Sequence, residues 1–353
     1  MAASPITAII DAGTGHVRAG VSTDESPAFK FRCHVGIPRK GASDAPDGSL
    51  LEPFYFAEQA EELRSQLILK RPVEWGLVTN WDLMEKLWNF TFSQRLCIDP
   101  SEHPVAIVEA TNTPKANTEK STQIMFEHFA VPALFIGGHS MVSMLSSGRS
   151  NFTGMVLDMG EGSIHPVPIY EGYTMRHAVS RSYMTGGDLQ HHLSTLLGFN
   201  TTEEYRTVGE AMCSPEMCFV SQDFEADMAR PEEDFVRSFK PRFRDEFSLS
   251  KQRFQCLEPI FRPELIKLEF PSVPWDINNV IGRCDPQIRK QMWSNLILSG
   301  GLSAAPGLAE RMTTELQKLA PEEKIKIYTH PHAGNAAWMG LREIASLDDF
   351  ATK

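Results

Sequence analysis

Two short stretches of this chain follow one plan, and that duplication limits its folds more than anything else in the sequence. In ITAIIDAGTGHVRAG, residues 6–20, an apolar β-branched run ends in Asp11. Gly13, Thr14 and Gly15 follow as a flexible turn, and Val17, Ala19 and Val21 then alternate as in a second strand. A strand, a glycine-rich turn and a returning strand make a hairpin whose tip presents backbone N–H groups. Such a tip cradles phosphate, and an acid beside it can hold a metal through water. One such turn is equally consistent with an ordinary tight hairpin, where glycine relieves crowding. The plan recurs in TGMVLDMGEGSIH, residues 153–165, with Asp158 followed by Gly160, Glu161, Gly162 and Ser163. One repeat at that separation describes two related halves, not a solenoid.

The rest of the chain alternates strand-like and helix-like patterns, which is the α/β class. Strands are expected at 29–37, 104–110, 133–136, 155–158, 163–170, 296–298 and 325–328. Helices are expected at 57–69, 81–92 (capped by Asn80), 115–129, 140–146, 186–197, 285–293, 306–319 and 336–345. Trp75-Gly76 and Glu171-Gly172 read as turns. Residues 38–53, with three prolines and Asp44 and Asp47, read as an exposed loop. Residues 198–250 are less periodic and read as helices with connecting loops.

With 353 residues the length leans toward two domains. A formal net charge of −11 disfavours nucleic-acid binding through the phosphates. No apolar run reaches the roughly 18 residues of a membrane span, and the first ten residues lack the basic flank and apolar stretch of a secretory signal. The six cysteines are scattered without metal-ligand spacing. They read as packed thiols of a reducing compartment.

Longer stretches carry a family likeness. NWDLMEKLWNFTF, HPVAIVEATNTPKANTEKSTQIMFEHFAVPALF, PIYEGYTMRHAV, CDPQIRKQMWSNLILSGGLSAAPGLAERM and KIKIY resemble actin and the actin-related proteins. The resemblance runs from end to end. It implies the actin-like ATPase fold, with duplicated ribonuclease H-like domains around a nucleotide cleft. The first lobe would take 1–148 plus 336–353, with an outer subdomain near 33–72. The second would take 149–335, with an outer subdomain near 185–268.

Carried over residue by residue, the resemblance implies phosphate contacts from Gly13, Thr14, Gly15, Arg18, Gly160, Glu161, Gly162, Gly300 and Gly301. It implies metal contacts through water from Asp11 and Asp158, and ATP or ADP with Mg2+ in a cleft that could also stand empty. Several positions depart from the family. Arg18 stands for a lysine, changing a point donor into a planar fork. Glu161 stands for an aspartate. His139 occupies the place of the water-positioning glutamine, so the expected activity is at most a weak ATPase. In the adenine pocket, Ser214 and Pro215 replace a Lys-Glu pair, Ala305 a tyrosine, Gly334 a lysine and Gly187 a basic residue. The 38–53 loop is polar where the family inserts apolar side chains into the next subunit, and the family's C-terminal helix and tail would extend past Lys353.

The implied role is a divergent actin-related protein, a structural subunit of a cytoskeletal or motor-associated complex. Its partners would be other protein subunits, actin or actin-related proteins among them, with no nucleic acid and no membrane. The setting would be cytoplasmic and cytoskeletal, with an axoneme favoured over the nucleus. The competing expectation is an ATP-binding, slowly hydrolysing actin that polymerises. A sugar kinase or chaperone ATPase of the same superfold fits less well, because no carboxylate base is placed by a motif and no substrate domain follows.

Overall fold

The computed structural model describes residues 6–40, 50–180, 183–199, 208–241 and 245–347. Most of the 38–53 loop, with Asp44 and Asp47, therefore lies outside the described residues, as do parts of the 198–250 stretch. Residue contacts divide the chain into two compact units. The first comprises Met1–Val142 with Ala337–Lys353, and the second Ser143–Ala336.

The first unit is built on a five-stranded sheet of β1 (Ala8–Ala12), β2 (His16–Val21), β3 (Phe29–Arg32), β4 (Val105–Glu109) and β5 (Leu134–Gly138), in the order β5-β4-β1-β2-β3. β1, β4 and β5 run parallel, with Ile10, Ile107 and Ile136 in register, while β2 and β3 return antiparallel. The parallel strands are nearly continuous apolar runs because both of their faces are covered. One layer is the helix Ala336–Ala345, whose buried Trp338 donates its indole N–H to the Ile9 carbonyl at 3.1 Å. Phe31, Leu87, Trp88, Phe92 and Met125 pack elsewhere in the unit's core.

The second unit repeats this topology. Its sheet contains β6 (Gly154–Met159), β7 (Ile164–Tyr170), β8 (Tyr173–Thr174), β9 (Leu296–Ser299) and β10 (Ile327–Thr329), in the order β8-β7-β6-β9-β10. β6, β9 and β10 are the parallel set, and β7 and β8 the antiparallel returns. The chain is thus α/β with a duplicated mixed sheet, the class its alternation implied.

The departures from the expected elements have local causes. The helix expected over 57–69 stops at Glu62, and Leu67–Lys70 is a strand paired with Val35–Pro38. Leu67 is buried against Tyr55 and Ala60 there, and strand pairing outweighs the helical spacing. The expected strand 29–37 is two strands, β3 and Val35–Pro38, which belong to different sheets.

The helices expected over 81–92 and 115–129 begin as Trp81–Phe90 and Lys115–Gln123. They end in π-helical turns, Thr91–Leu96 and Ile124–His128. These turns bring Phe92 and Phe129 edge to face at 5.2 Å. Asn80 caps the first helix as expected, accepting the Leu83 N–H.

In the second unit, the helix expected from Pro306 begins at Leu308. Gly307 intervenes at φ +82°, where a Cβ would stand 2.4 Å from the Val220 carbonyl oxygen. Only Arg289–Ser294 of the expected 285–293 helix is regular. Val273–Arg283 is a helix that was not expected; its Pro274 reads as a breaker but sits in the first turn, where the missing N–H is harmless. The 198–250 stretch contains a helix, Phe224–Ala229, and an unexpected strand pair, Arg237–Phe239 with Phe247–Leu249.

Candidate functional site

In open α/β sheets, ligands gather beyond the carboxyl ends of the parallel strands. In the first unit that edge carries Asp11 near the end of β1 and His139 just past β5. His139 opens the helix His139–Leu145. The next residue is anchored by Thr111, whose hydroxyl donates to Ser140 Oγ at 2.9 Å. The β1–β2 turn closes when the Gly13 N–H donates to the His16 carbonyl at 3.0 Å. Across the hairpin Asp11 stands opposite Arg18, and Arg18 Nη1 donates to Asp11 Oδ2 at 3.1 Å. Asp11 is buried, and the guanidinium compensates its charge.

A second hairpin, Val73–Glu74 with Leu77–Val78, props the tip. The Gly76 N–H donates to Thr14 Oγ1 at 2.8 Å. This leaves the Thr14 hydroxyl hydrogen available for an acceptor. The turn of that hairpin holds Trp75 at φ +56°, with the residue 70% exposed.

Beside the tip lie three cations and a histidine in a row that the alternation in the sequence could have disclosed. β2 and β3 pair His16 with Arg32 and Arg18 with Lys30, which places all four side chains on one face. Burial, followed by the charges of Arg32, Arg18, Lys30 and His34, holds the His16 imidazole well below its ordinary pKa. Arg18, Lys30 and Arg32 thus share this face with the Asp11 carboxylate.

The second unit repeats the backbone with other side chains. The Gly160 N–H donates to the Ser163 carbonyl at 2.8 Å, and Asp158 stands opposite His165. A helix start supports the turn. Gly186 N–H donates to the Gly160 carbonyl at 3.0 Å, and Gly187 N–H to the Glu161 carbonyl at 2.9 Å. Thr185 and Asp188 form a capping box on that helix, Gly186–Leu196. A Cβ on Gly186 would meet the Gly160 oxygen at 2.7 Å.

Gly300 lies against the same turn at φ +91°, where a Cβ would stand 2.6 Å from the Met159 carbonyl oxygen. Ser299 is level with Asp158 on the neighbouring strand. Its buried Oγ has no hydrogen-bond partner among the described residues, an orphaned hydroxyl suited to a ligand oxygen.

The structure therefore gathers Asp11, Gly13, Thr14, Gly15 and Arg18 at one turn, with His139 on the same sheet edge. It gathers Asp158, Gly160, Glu161 and Gly162 at the other, with Gly300 and Gly301 beside them. The Gly301–Ala304 turn packs on the Ala333–Asn335 turn, which contains Gly334. Ala305 follows directly, and the Cys213 sulfur lies 3.9 Å from where a Gly301 Cβ would be. Ser214 is the next residue. Cys213, Gly76, Lys30 and Arg32 are the neighbours that motif reading missed: strand alternation places Lys30 and Arg32 on that face, and only the fold brings in Cys213 and Gly76.

The two turns differ in chemistry. The first turn, rich in glycine and cations, suits phosphate oxygens. The second, with Asp158 and Glu161, suits a hydrated cation or sugar hydroxyls. The surface near Gly301 has neither an aromatic ring nor a cation at the positions where the resemblance implies base contacts. Among the described residues no three metal-ligating side chains cluster. The actin family model matches residues 3–353. With the duplicated sheet, the paired Asp-Gly turns and a match over nearly its whole length, this chain belongs to the actin family.

Proposed function

We propose that this protein is a divergent actin-related protein serving as a structural subunit of a cytoskeletal or motor-associated assembly. On this reading it binds phosphate through its turns and grips adenine weakly. The observation that carries the reading is the set of small side chains near Gly301, namely Ser214, Ala305 and Gly334, where the resemblance implies polar and stacking contacts with the base. Each lost hydrogen bond removes about 0.5–1.5 kcal/mol. Together the losses lower adenine affinity by orders of magnitude and leave the phosphate contacts in place.

Gly13, Thr14, Gly15 and Arg18 would hold phosphate oxygens on the first unit. Asp158, with Glu161, would face a hydrated Mg2+ on the second. The Asp11–Arg18 pair keeps Asp11 engaged and orients the guanidinium fork beside the tip.

Sedimentation of the purified protein with Mg-ATP and salt tests the reading. The protein is expected to stay in the supernatant at micromolar concentration, and actin-like filaments in the pellet would overturn the proposal. The second reading, a slow ATPase that polymerises, is favoured by one observation: His139 leaves the same sheet edge as Asp11. It requires phosphate release that His139→Ala abolishes.

A further inference from the structure

A depression on the first unit shares no residue with the phosphate turns and combines three phenylalanines with charged groups. It encloses about 360 Å3 beside the helix Trp81–Phe90 and its π-helical continuation. Lys86, Phe90 and Gln94 recur every fourth residue, so one helical stripe lines it. Phe54 and Phe56 arrive with the short strand Tyr55–Phe56, and Phe56 stacks on Phe90 with centroids 4.7 Å apart. Phe90 is buried, while Phe54 and Phe56 are half-buried.

The charges around the depression are unevenly matched. Glu85 Oε1 lies 3.6 Å from His128 Nε2, a pair that is ionic when the imidazole is protonated. Arg95, whose guanidinium lies 5.1 Å from the Phe90 centroid, is matched by Glu58. The Lys86 ammonium sits 5.0 Å from the Phe54 centroid, and among the described residues no carboxylate pairs with it. A ring face is a favourable but partial substitute for an anion.

We propose that this pocket anchors an aromatic side chain of a partner protein, and that a carboxylate next to that side chain in the partner's sequence pairs with Lys86. The volume is at the small end of the range for ligand pockets, about 300–1,000 Å3, which suits one anchoring side chain better than a whole cofactor. Aromatic anchors seated in pockets carry much of the energy of protein interfaces. A ring entering here meets other rings, with which it packs offset or edge to face. Lys86 selects by charge, attracting a carboxylate at the rim and opposing a cationic neighbour. Naming this partner chemistry rests on the reading of the chain as a subunit of an assembly. Peptide binding is measured without nucleotide or filaments, so the two can fail separately.

The test titrates the full-length protein into end-labelled, acetylated and amidated peptides and reads fluorescence anisotropy. One peptide has a central tryptophan flanked by glutamates, one the same tryptophan flanked by lysines, and one alanine flanked by glutamates. The acidic tryptophan peptide should bind tenfold or more tightly than the other two, and added salt should narrow its margin over the lysine peptide. Phe54→Ala should weaken its binding tenfold or more. Lys86→Gln should abolish the preference for glutamate over lysine and keep the requirement for tryptophan. The proposal is overturned if the acidic tryptophan peptide does not bind at millimolar concentration, or if Phe54→Ala and Lys86→Gln leave its binding unchanged. Self-association of the protein that Phe54→Ala abolishes, with no peptide bound, overturns it in favour of a second copy of this chain.

Discussion

The β1–β2 turn and the β6–β7 turn share a backbone and little else. In each, four residues separate the last paired positions, a glycine N–H closes on a carbonyl three residues ahead, and an aspartate stands one residue before the end of the first strand. The partner opposite that aspartate is Arg18 in one and His165 in the other. The tip carries Thr14 in one and Glu161 in the other. A neighbouring hairpin supports the first through a side-chain hydroxyl, and a helix start supports the second through backbone N–H groups. Topology fixes the backbone of such a turn, and the side chains arriving from elsewhere decide whether it takes an anion or a cation.

The comparison breaks most sharply at the glycines. Gly300→Ala should destabilise the second unit by about 3 kcal/mol or more, because the backbone is left-handed there and Met159 main-chain atoms occupy the Cβ position. Gly13→Ala should cost about 1 kcal/mol or less, since its nearest neighbour would be at an ordinary 3.6 Å. Chemical denaturation of the two variants measures both, and equal losses would refute the contrast.

Arg18→Met probes the next difference. It strands the buried Asp11 carboxylate and should cost about 2–3 kcal/mol, with much of the loss recovered in Arg18→Met/Asp11→Asn. A double-mutant cycle with no coupling would contradict the role given to the pair.

The smallest effect concerns His330, just past β10. It accepts the His332 N–H at Nδ1 and faces Ser146 through Nε2. Burial, then the His332 charge, lower its pKa to about 4. A histidine lowered in the fold takes up its proton first in the unfolded chain. Stability is therefore complete above about pH 6.5 and falls below it, by about 1–2 kcal/mol on reaching roughly pH 5. The pH profile of the denaturation midpoint should flatten over that window in His330→Gln.

Much of this was legible in the residues. The repeated Asp-Gly turns, Asn80 as a cap and the strand–helix alternation are local patterns, and periodicity and turn chemistry are local physics. Leu67–Lys70 was not legible, because an apolar run chooses strand over helix only when a partner such as Val35–Pro38 is beside it. Nor was the late start after Gly307, which a carbonyl 87 positions earlier in the chain, at Val220, enforces.

By itself, the sequence determined that this chain has two related halves, each with an acidic glycine turn, and that it resembles one family from end to end. Only the tertiary structure decided that Arg18 engages Asp11, that Gly76 props Thr14, that Ser299 stands level with Asp158 and that Cys218 and Cys256 meet. Hydrogen bonds and ion pairs depend on distances of a few ångströms, and those distances are set by how elements remote in the chain pack together, not by spacing along it.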